Sequence, residues 1–303
     1  MTLRTAIIGS GNIGCDVLCK VQSSPLLDCT LFAGRNAASP GLALARARGI
    51  PVADRGADGL FAALDSFDLV FDATSSAAHQ AHAPALQAAG KVLINLTPAP
   101  NGDLCVPSLN GDDLVQAGNI NMITCGGQAS IPIAQAMTAA NPDIHYLEVV
   151  SSISAESAGP ATRLNLNHYI ETTEGALTKF TGCSHVKAIL NINPAKPNVY
   201  MQTAISALAE HHDLEATKGA IAEAVARLRA AVPGYSVIVE PHVTGDRMFT
   251  MVRVTGAGDY LDPSAGNLDI ITAAATRMAE AIARERANQG AHAPVGQPME
   301  SVA

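Results

Sequence analysis

The chain has 303 residues, 48% of them hydrophobic and 15% charged, with 19 Lys plus Arg against 27 Asp plus Glu. At about 150 residues per domain this is material for roughly two domains with sizeable cores, and it excludes a disordered chain. A net charge of −8, aromatics at 4% and no Trp argue against a nucleic-acid grip, and no apolar run reaches the roughly 18 residues that would cross a bilayer.

The N-terminal Arg4-Thr5-Ala6-Ile7-Ile8 runs straight into a glycine turn. A secretory leader needs a basic start, an apolar stretch and a small-residue cleavage site, so a cytoplasmic location is expected. Strands are predicted at Thr5–Ile8, Cys29–Ala33, Leu69–Asp72, Val92–Leu96 and Ile120–Thr124. Between them, Asn12–Val21, Ser39–Arg48, Gly59–Leu64 and Ala77–Ala89 read as helices. Strands alternating with helices predict βαβ units, and uniformly apolar strands predict a parallel sheet covered on both faces. Beyond Cys125 the strand candidates are longer: Ile144–Ser154, Lys187–Asn193, Val237–Val243 and Arg247–Thr255, with helices at Asn165–Phe180 and Asp213–Ala231. Their polar–apolar alternation predicts a mostly antiparallel sheet with one open face. The expected organisation is a dinucleotide-binding domain over 1–130 and an α+β substrate and dimerisation domain over 131–264. A helix over 265–287 returns to the first domain, and a flexible tail covers 288–303.

Gly9-Ser10-Gly11-Asn12-Ile13-Gly14 fits G-x-G-x-x-G, placed as the motif requires between a strand and a helix. Gly9 permits the turn, Gly11 lets a pyrophosphate approach the backbone, and Gly14 permits close helix–strand packing. The second strand runs into Ala33-Gly34-Arg35-Asn36, without the carboxylate that would read a ribose 2′-hydroxyl. Arg35 suits a 2′-phosphate, so NAD and NADP both stay open. Asp72-Ala73-Thr74-Ser75 closes another strand with small residues, which leave room for a ligand. His79 and His82 share a helix face but lack further ligands, so solvated histidines are expected and no metal site. The six cysteines are scattered without zinc spacing, and no disulfide is expected in a reducing compartment. In Thr124-Cys125-Gly126-Gly127-Gln128-Ala129 a Cys ends a strand and a helix begins. That puts the sulfur near a helix N-terminus, which favours thiolate, and near N–H groups suited to an oxyanion. Beside a nicotinamide, such a thiolate attacks an aldehyde, gives up hydride and holds a thioester; spacing alone leaves a structural Cys equally open.

Taken together, these segments resemble the acylating acetaldehyde dehydrogenases. The resemblance runs to about Ala281. It rests on 7–14, 71–75, Val106-Pro107, Asn121 through Ala129, Ser157-Ala158-Gly159-Pro160-Ala161-Thr162-Arg163, Gly256-Ala257-Gly258-Asp259-Tyr260 and Ala265 through Ile270. It implies an N-terminal Rossmann domain plus an α+β dimerisation and catalytic domain, as in the glyceraldehyde-3-phosphate dehydrogenase-like fold. It implies a catalytic Cys125 that carries an acyl thioester, a nicotinamide cofactor, and coenzyme A as co-substrate. Ser10, Gly11, Asn12 and Ile13 fall on the family's phosphate turn. Ser157 through Asn165, with Leu164, falls on a segment lining the cofactor, and Asn267 on an asparagine near the nicotinamide. A homodimer or higher homo-oligomer and an aldolase partner are implied too.

Two departures stand out. The family often has an acidic residue where this chain has Arg35-Asn36. It also usually carries Met-Arg-Asp-Thr, with the Asp near the catalytic centre, where this chain has Met201-Gln202-Thr203-Ala204. A neutral Thr203 better tolerates an anionic aldehyde, because a buried carboxylate would repel one. Arg163 is a candidate for binding an anionic substrate or a cofactor phosphate. His145, His168 and His185 carry no evident role. A dehydrogenase releasing a free acid, or a non-catalytic dinucleotide-binding subunit, remains as an alternative.

Overall fold

The computed structural model describes residues 2–291. In chain order the elements are β1 (Leu3–Ile8), α1 (Asn12–Ser23), β2 (Leu27–Ala33), α2 (Pro40–Ala47), β3 (Val52–Ala53), α3 (Ala57–Phe61), β4 (Leu69–Asp72) and α4 (Ser76–Ala88). Then follow β5 (Val92–Asn95), β6 (Asp103–Leu104), α5 (Pro107–Asn110), β7 (Asn119–Asn121), α6 (Cys125–Ala140), β8 (Tyr146–Ser154), α7 (Pro160–Leu164) and α8 (Leu166–Thr181). The last are β9 (Val186–Asn193), β10 (Met201–Leu208), α9 (Leu214–Arg229), β11 (Tyr235–Thr244), β12 (Arg247–Val254) and α10 (Gly266–Ala291).

The first sheet is parallel throughout, in the order β3-β2-β1-β4-β5-β7-β6. Along β1, Ile7 faces a core shared with α1 and α10, while Ala6 and Ile8 face a second core under α3 and α4. Both faces are therefore buried, which is why Ala6-Ile7-Ile8, Leu31-Phe32-Ala33 and Leu69-Val70-Phe71 run apolar without alternation. The chain builds outward from β1 in both directions, so β1 and β4 flank the switch point, where such sheets open a crevice at their carboxyl ends.

The second sheet has the order β11-β12-β10-β8-β9, antiparallel except for the β8–β9 pair. In β10 every other residue is buried (Met201, Thr203, Ile205, Ala207) and the rest are half-buried. The buried face packs on α6, α8 and α9, and no helix among the described residues covers the other face.

Several boundaries differ from the sequence expectation. The strand predicted at Ile120–Thr124 ends at Asn121, because the chain turns at Met122–Thr124 with Ile123 at φ +64°. Cys125 therefore opens α6 rather than closing a strand. The helix predicted at Asn165–Phe180 is preceded by the separate turn of α7, and Asn165 between them is non-helical. The tail expected from 288 is helical through Ala291, and residues 292–303 lie outside the described residues. Strand β10 was not anticipated.

Candidate active site

The glycine turn after β1 has the geometry its spacing implies. Gly9 sits at φ +114°, in left-handed space where a side chain is strained, and a Cβ there would lie 2.4 Å from the Ala73 carbonyl oxygen beyond β4. A Cβ at Gly14 would lie 1.8 Å from the Gly9 carbonyl oxygen, so α1 can approach β1 only with glycine there. Gly11, by contrast, faces open space, with nothing within 4 Å of a Cβ. It caps α1 without a side-chain acceptor, which leaves first-turn N–H groups free to face an anion. Ser10 packs under the turn beyond β2, where Ser39 donates to its hydroxyl at 3.0 Å. Arg35 stands exposed at the end of β2.

Three neighbouring strands end on one device. Asp72 Oδ1 accepts from the Thr74 N–H at 3.0 Å and the Thr74 hydroxyl at 2.6 Å. Asn95 Oδ1 accepts from the Thr97 N–H and hydroxyl at 2.8 and 2.7 Å. Asn121 Oδ1 accepts from the Ile123 N–H at 2.7 Å. Each is an Asx turn that bends the chain two residues past its strand. All three turned residues line the same cleft. Ile123 is a β-branched residue in left-handed space, a conformation costing roughly 1–3 kcal/mol that persists only where its surroundings impose it. Gln128 helps to impose it by donating to the Met122 and Cys105 carbonyls.

His79 and His82 correct the expectation of solvated histidines. Both are buried, and both donate to Asp72 Oδ2, at 2.8 and 2.5 Å. Their i, i+3 spacing turns them together onto the end of β4. Burial opposes ionisation of Asp72, but the bonds from His79, His82 and Thr74 outweigh it and hold the carboxyl well below its ordinary range.

Cys125 is the first residue of α6, half-buried, with Thr124 as N-cap accepting from the Gly127 N–H. The Tyr169 hydroxyl of α8 lies 3.8 Å from the Cys125 sulfur and accepts from the Gly126 N–H at 3.1 Å. Burial pushes the thiol up, while Tyr169 and the N–H groups of Gly126 and Cys125 pull against that rise. The helix terminus alone, which suggested a lowered thiol, does not prevail over desolvation. A Cβ on Gly126 would meet the Tyr169 hydroxyl at 2.2 Å and Ser151 Oγ at 2.8 Å, so glycine is what admits both groups. Behind it, Ser151 and Thr203 share a buried hydroxyl–hydroxyl bond of 2.9 Å.

Asn267 enters the cleft from the first turn of α10. That helix start is fixed in two ways. A Cβ at Gly266 would lie 2.1 Å from the Val254 carbonyl oxygen, so the helix abuts β12. Lys20 of α1 donates to Asp269 and Asp259, each at 2.7 Å, and lies 3.5 Å from Asp16. Asn267 is buried, and its Oδ1 has no hydrogen-bond donor.

The cleft thus gathers Ile13, Thr74, Cys125, Thr162 and Asn267 from the predicted site residues. Gly9, Ser10, Gly11, Asn12 and Gly14 form the turn at its edge. Ser157 and Ala158 are buried beneath it, with Ser157 bonded to Ser154. Leu164, expected beside the cofactor, is 83% exposed. Arg163 donates to the Ala155 and Ala158 carbonyls, so much of its fork is spent on its own segment. His168 turns to Ser76 at 3.2 Å. Tyr169 was missed: it lies 44 residues from Cys125 and only the fold brings them together.

An N–H cradle and a half-buried thiol share one cleft at the switch point of a doubly wound sheet, the arrangement of a nicotinamide-dependent dehydrogenase. The residues fit that cofactor: Gly11 leaves the approach open, and Asn267 Oδ1 lacks the donor that a carboxamide N–H would supply. Residues 125–262 match the family described as "Prokaryotic acetaldehyde dehydrogenase, dimerisation". The chain is 48% identical to an acetaldehyde dehydrogenase of Pectobacterium atrosepticum, over 94% of this chain and 97% of that one. It is 50% identical to one of Burkholderia pseudomallei, over 91% and 93% respectively. The chain belongs to the acetaldehyde dehydrogenase family. Its fold is also that of aspartate semialdehyde dehydrogenase II from Vibrio cholerae, with a TM-score of 0.67 over 94% of this chain and 99% of that one at 13% identity.

Proposed function

We propose that this protein oxidises a small neutral aldehyde, of the acetaldehyde type, through a thioester on Cys125 and passes the acyl group to coenzyme A. The observation carrying this is that Cys125 shares its cleft with Ile13 of the glycine turn and with Asn267. When bound there, the nicotinamide accepts or returns the hydride. The Cys125 sulfur adds to the carbonyl carbon, and the carbonyl oxygen becomes an alkoxide beside the positive end of α6. Loss of hydride from that carbon restores the C=O bond and leaves the thioester. A coenzyme A thiolate then attacks, and the Cys125 sulfur departs as thiolate.

Two features of the cleft support transfer to a thiol rather than to water, and a neutral substrate. Its described lining residues include no His and no carboxylate, the groups that most often activate water. A thiol needs less help, since it ionises near pH 8.5. The lining also includes no Lys or Arg to hold an anionic aldehyde, so the neutral hydroxyl at Thr203 is not matched by a cation. Exposed Arg35, where β2 runs into Ala33-Gly34-Arg35-Asn36 without a carboxylate, favours NADP over NAD. The uncovered face of the second sheet suits a homodimer interface. An aldolase partner rests on the family resemblance alone.

Mass spectrometry of the intact protein with NAD or NADP and an aldehyde panel tests this. The expected result is an acyl adduct on Cys125, discharged by coenzyme A and absent in Cys125→Ala. An adduct cleared only by water would overturn the transfer step, and no adduct with any aldehyde while cofactor binds would overturn the thioester.

A further inference from the structure

Tyr169 is the one ionisable side chain besides Cys125 among the described residues lining the cleft. It is buried. Its oxygen already accepts from the Gly126 N–H, so its own hydrogen is available to the Cys125 sulfur 3.8 Å away. The Thr124 hydroxyl beside it is engaged with Thr173 at 2.8 Å and with the Gly127 N–H. His168, its neighbour in sequence, bonds to Ser76 instead.

We propose that Tyr169 is a catalytic residue whose phenol O–H solvates the Cys125 sulfur whenever it is an anion. It serves this thiol by hydrogen bonding alone. Burial and the adjacent sulfur push the phenol well above its ordinary value, so it keeps its proton throughout. It donates a hydrogen bond and transfers nothing. In the free enzyme that bond favours thiolate over thiol. In the acyl-transfer step, where the proposal rests on the thioester reading above, it stabilises the same sulfur as a leaving group when the carbon–sulfur bond breaks. Hydrogen bonds to ions shorten and strengthen, so a contact loose against the thiol tightens against the thiolate.

The test is alkylation of Cys125 by iodoacetamide across pH 6–11, read on the Cys125 peptide by mass spectrometry, with no cofactor present. Tyr169→Phe is expected to raise the alkylation midpoint by about one pH unit and to slow alkylation at neutral pH about tenfold. Turnover should fall comparably while the aldehyde KM stays within about twofold. Tyr169→Phe also removes an acceptor from the Gly126 N–H, so a second variant keeps that contact: 3-fluorotyrosine placed at 169 by amber suppression. Its more acidic phenol is a stronger donor, and the midpoint should move down. A fluorotyrosine profile that superimposes on wild type, or an unmoved midpoint in a folded Tyr169→Phe, overturns the proposal. A midpoint that moves as expected in a protein whose Cys125 never acquires an acyl adduct upholds the pairing and refutes the thioester reading alone.

Discussion

Gly11→Ala separates nucleotide binding from folding. Gly11 has φ −87° and ψ −171°, extended backbone open to any residue, and nothing lies within 4 Å of the added methyl. The folded state therefore admits alanine without a clash. Stiffening the unfolded chain and losing a good cap oppose one another, so stability should change by less than about 1 kcal/mol. The methyl instead fills the space through which a pyrophosphate reaches the N–H groups of α1. Loss of one charge-assisted bond, about 1.5–3 kcal/mol, weakens nucleotide binding roughly 10- to 100-fold. Gly14→Ala is the contrast: its methyl would lie 1.8 Å from a backbone oxygen that cannot move away, and the protein should not fold at normal yield. The assay is a fluorescence titration of the reduced nucleotide beside a thermal melt. Binding of Gly11→Ala within twofold of wild type at an unchanged Tm would refute the placement of the phosphates.

Asp72 makes stability depend on pH. Its folded carboxyl is held below its unfolded value of about 4, so the stabilisation is fully present above that value and is lost as pH falls further. Asp72→Asn should lower Tm at pH 7, by an amount equivalent to about 3 kcal/mol, and flatten the acid limb of Tm against pH; parallel limbs would contradict this. Thr203→Asp buries a carboxyl beside the Ser151 hydroxyl, with no cation bonded there among the described residues, which raises its pKa and destabilises the fold. Above that raised pKa it should also widen the preference for neutral over anionic aldehydes, and an unchanged preference ratio would count against a role for Thr203 in substrate choice.

The parallel sheet was readable because its strands are apolar on both faces and separated by helical patterns, and the glycine turn because its three spacings each answer a steric demand. Strand β10 was harder. Its outward Gln202, Ala204 and Ser206 and inward Thr203 and Ala207 are too alike in size and polarity to show a period of two, although β10 pairs along its length with both β8 and β12. The Cys125 motif pointed to the helix start but not to the turn before it, since nothing in Met122-Ile123-Thr124 announces left-handed backbone; the force comes from Asn121 and Gln128. His79 and His82 looked soluble because polarity was weighed without their partner. A carboxylate closing the apolar run Leu69–Asp72 was the available signal, since a buried charge requires donors. Tyr169 left no trace beyond a helical position.

The repeated clamp at Asp72, Asn95 and Asn121 divides the labour of the cleft between two sets of positions. The clamp residues set where the backbone goes, and the residues two places later, Thr74, Thr97 and Ile123, set what the ligand touches. Change at the second set resculpts the cavity while the N–H bonds of the frame stand, with a hydroxyl bond to Asp72 or Asn95 given up at 74 or 97, whereas change at the first removes the frame. A descendant of this chain can therefore acquire a new aldehyde preference one side chain at a time, at 74, 97 or 123, without rebuilding a loop.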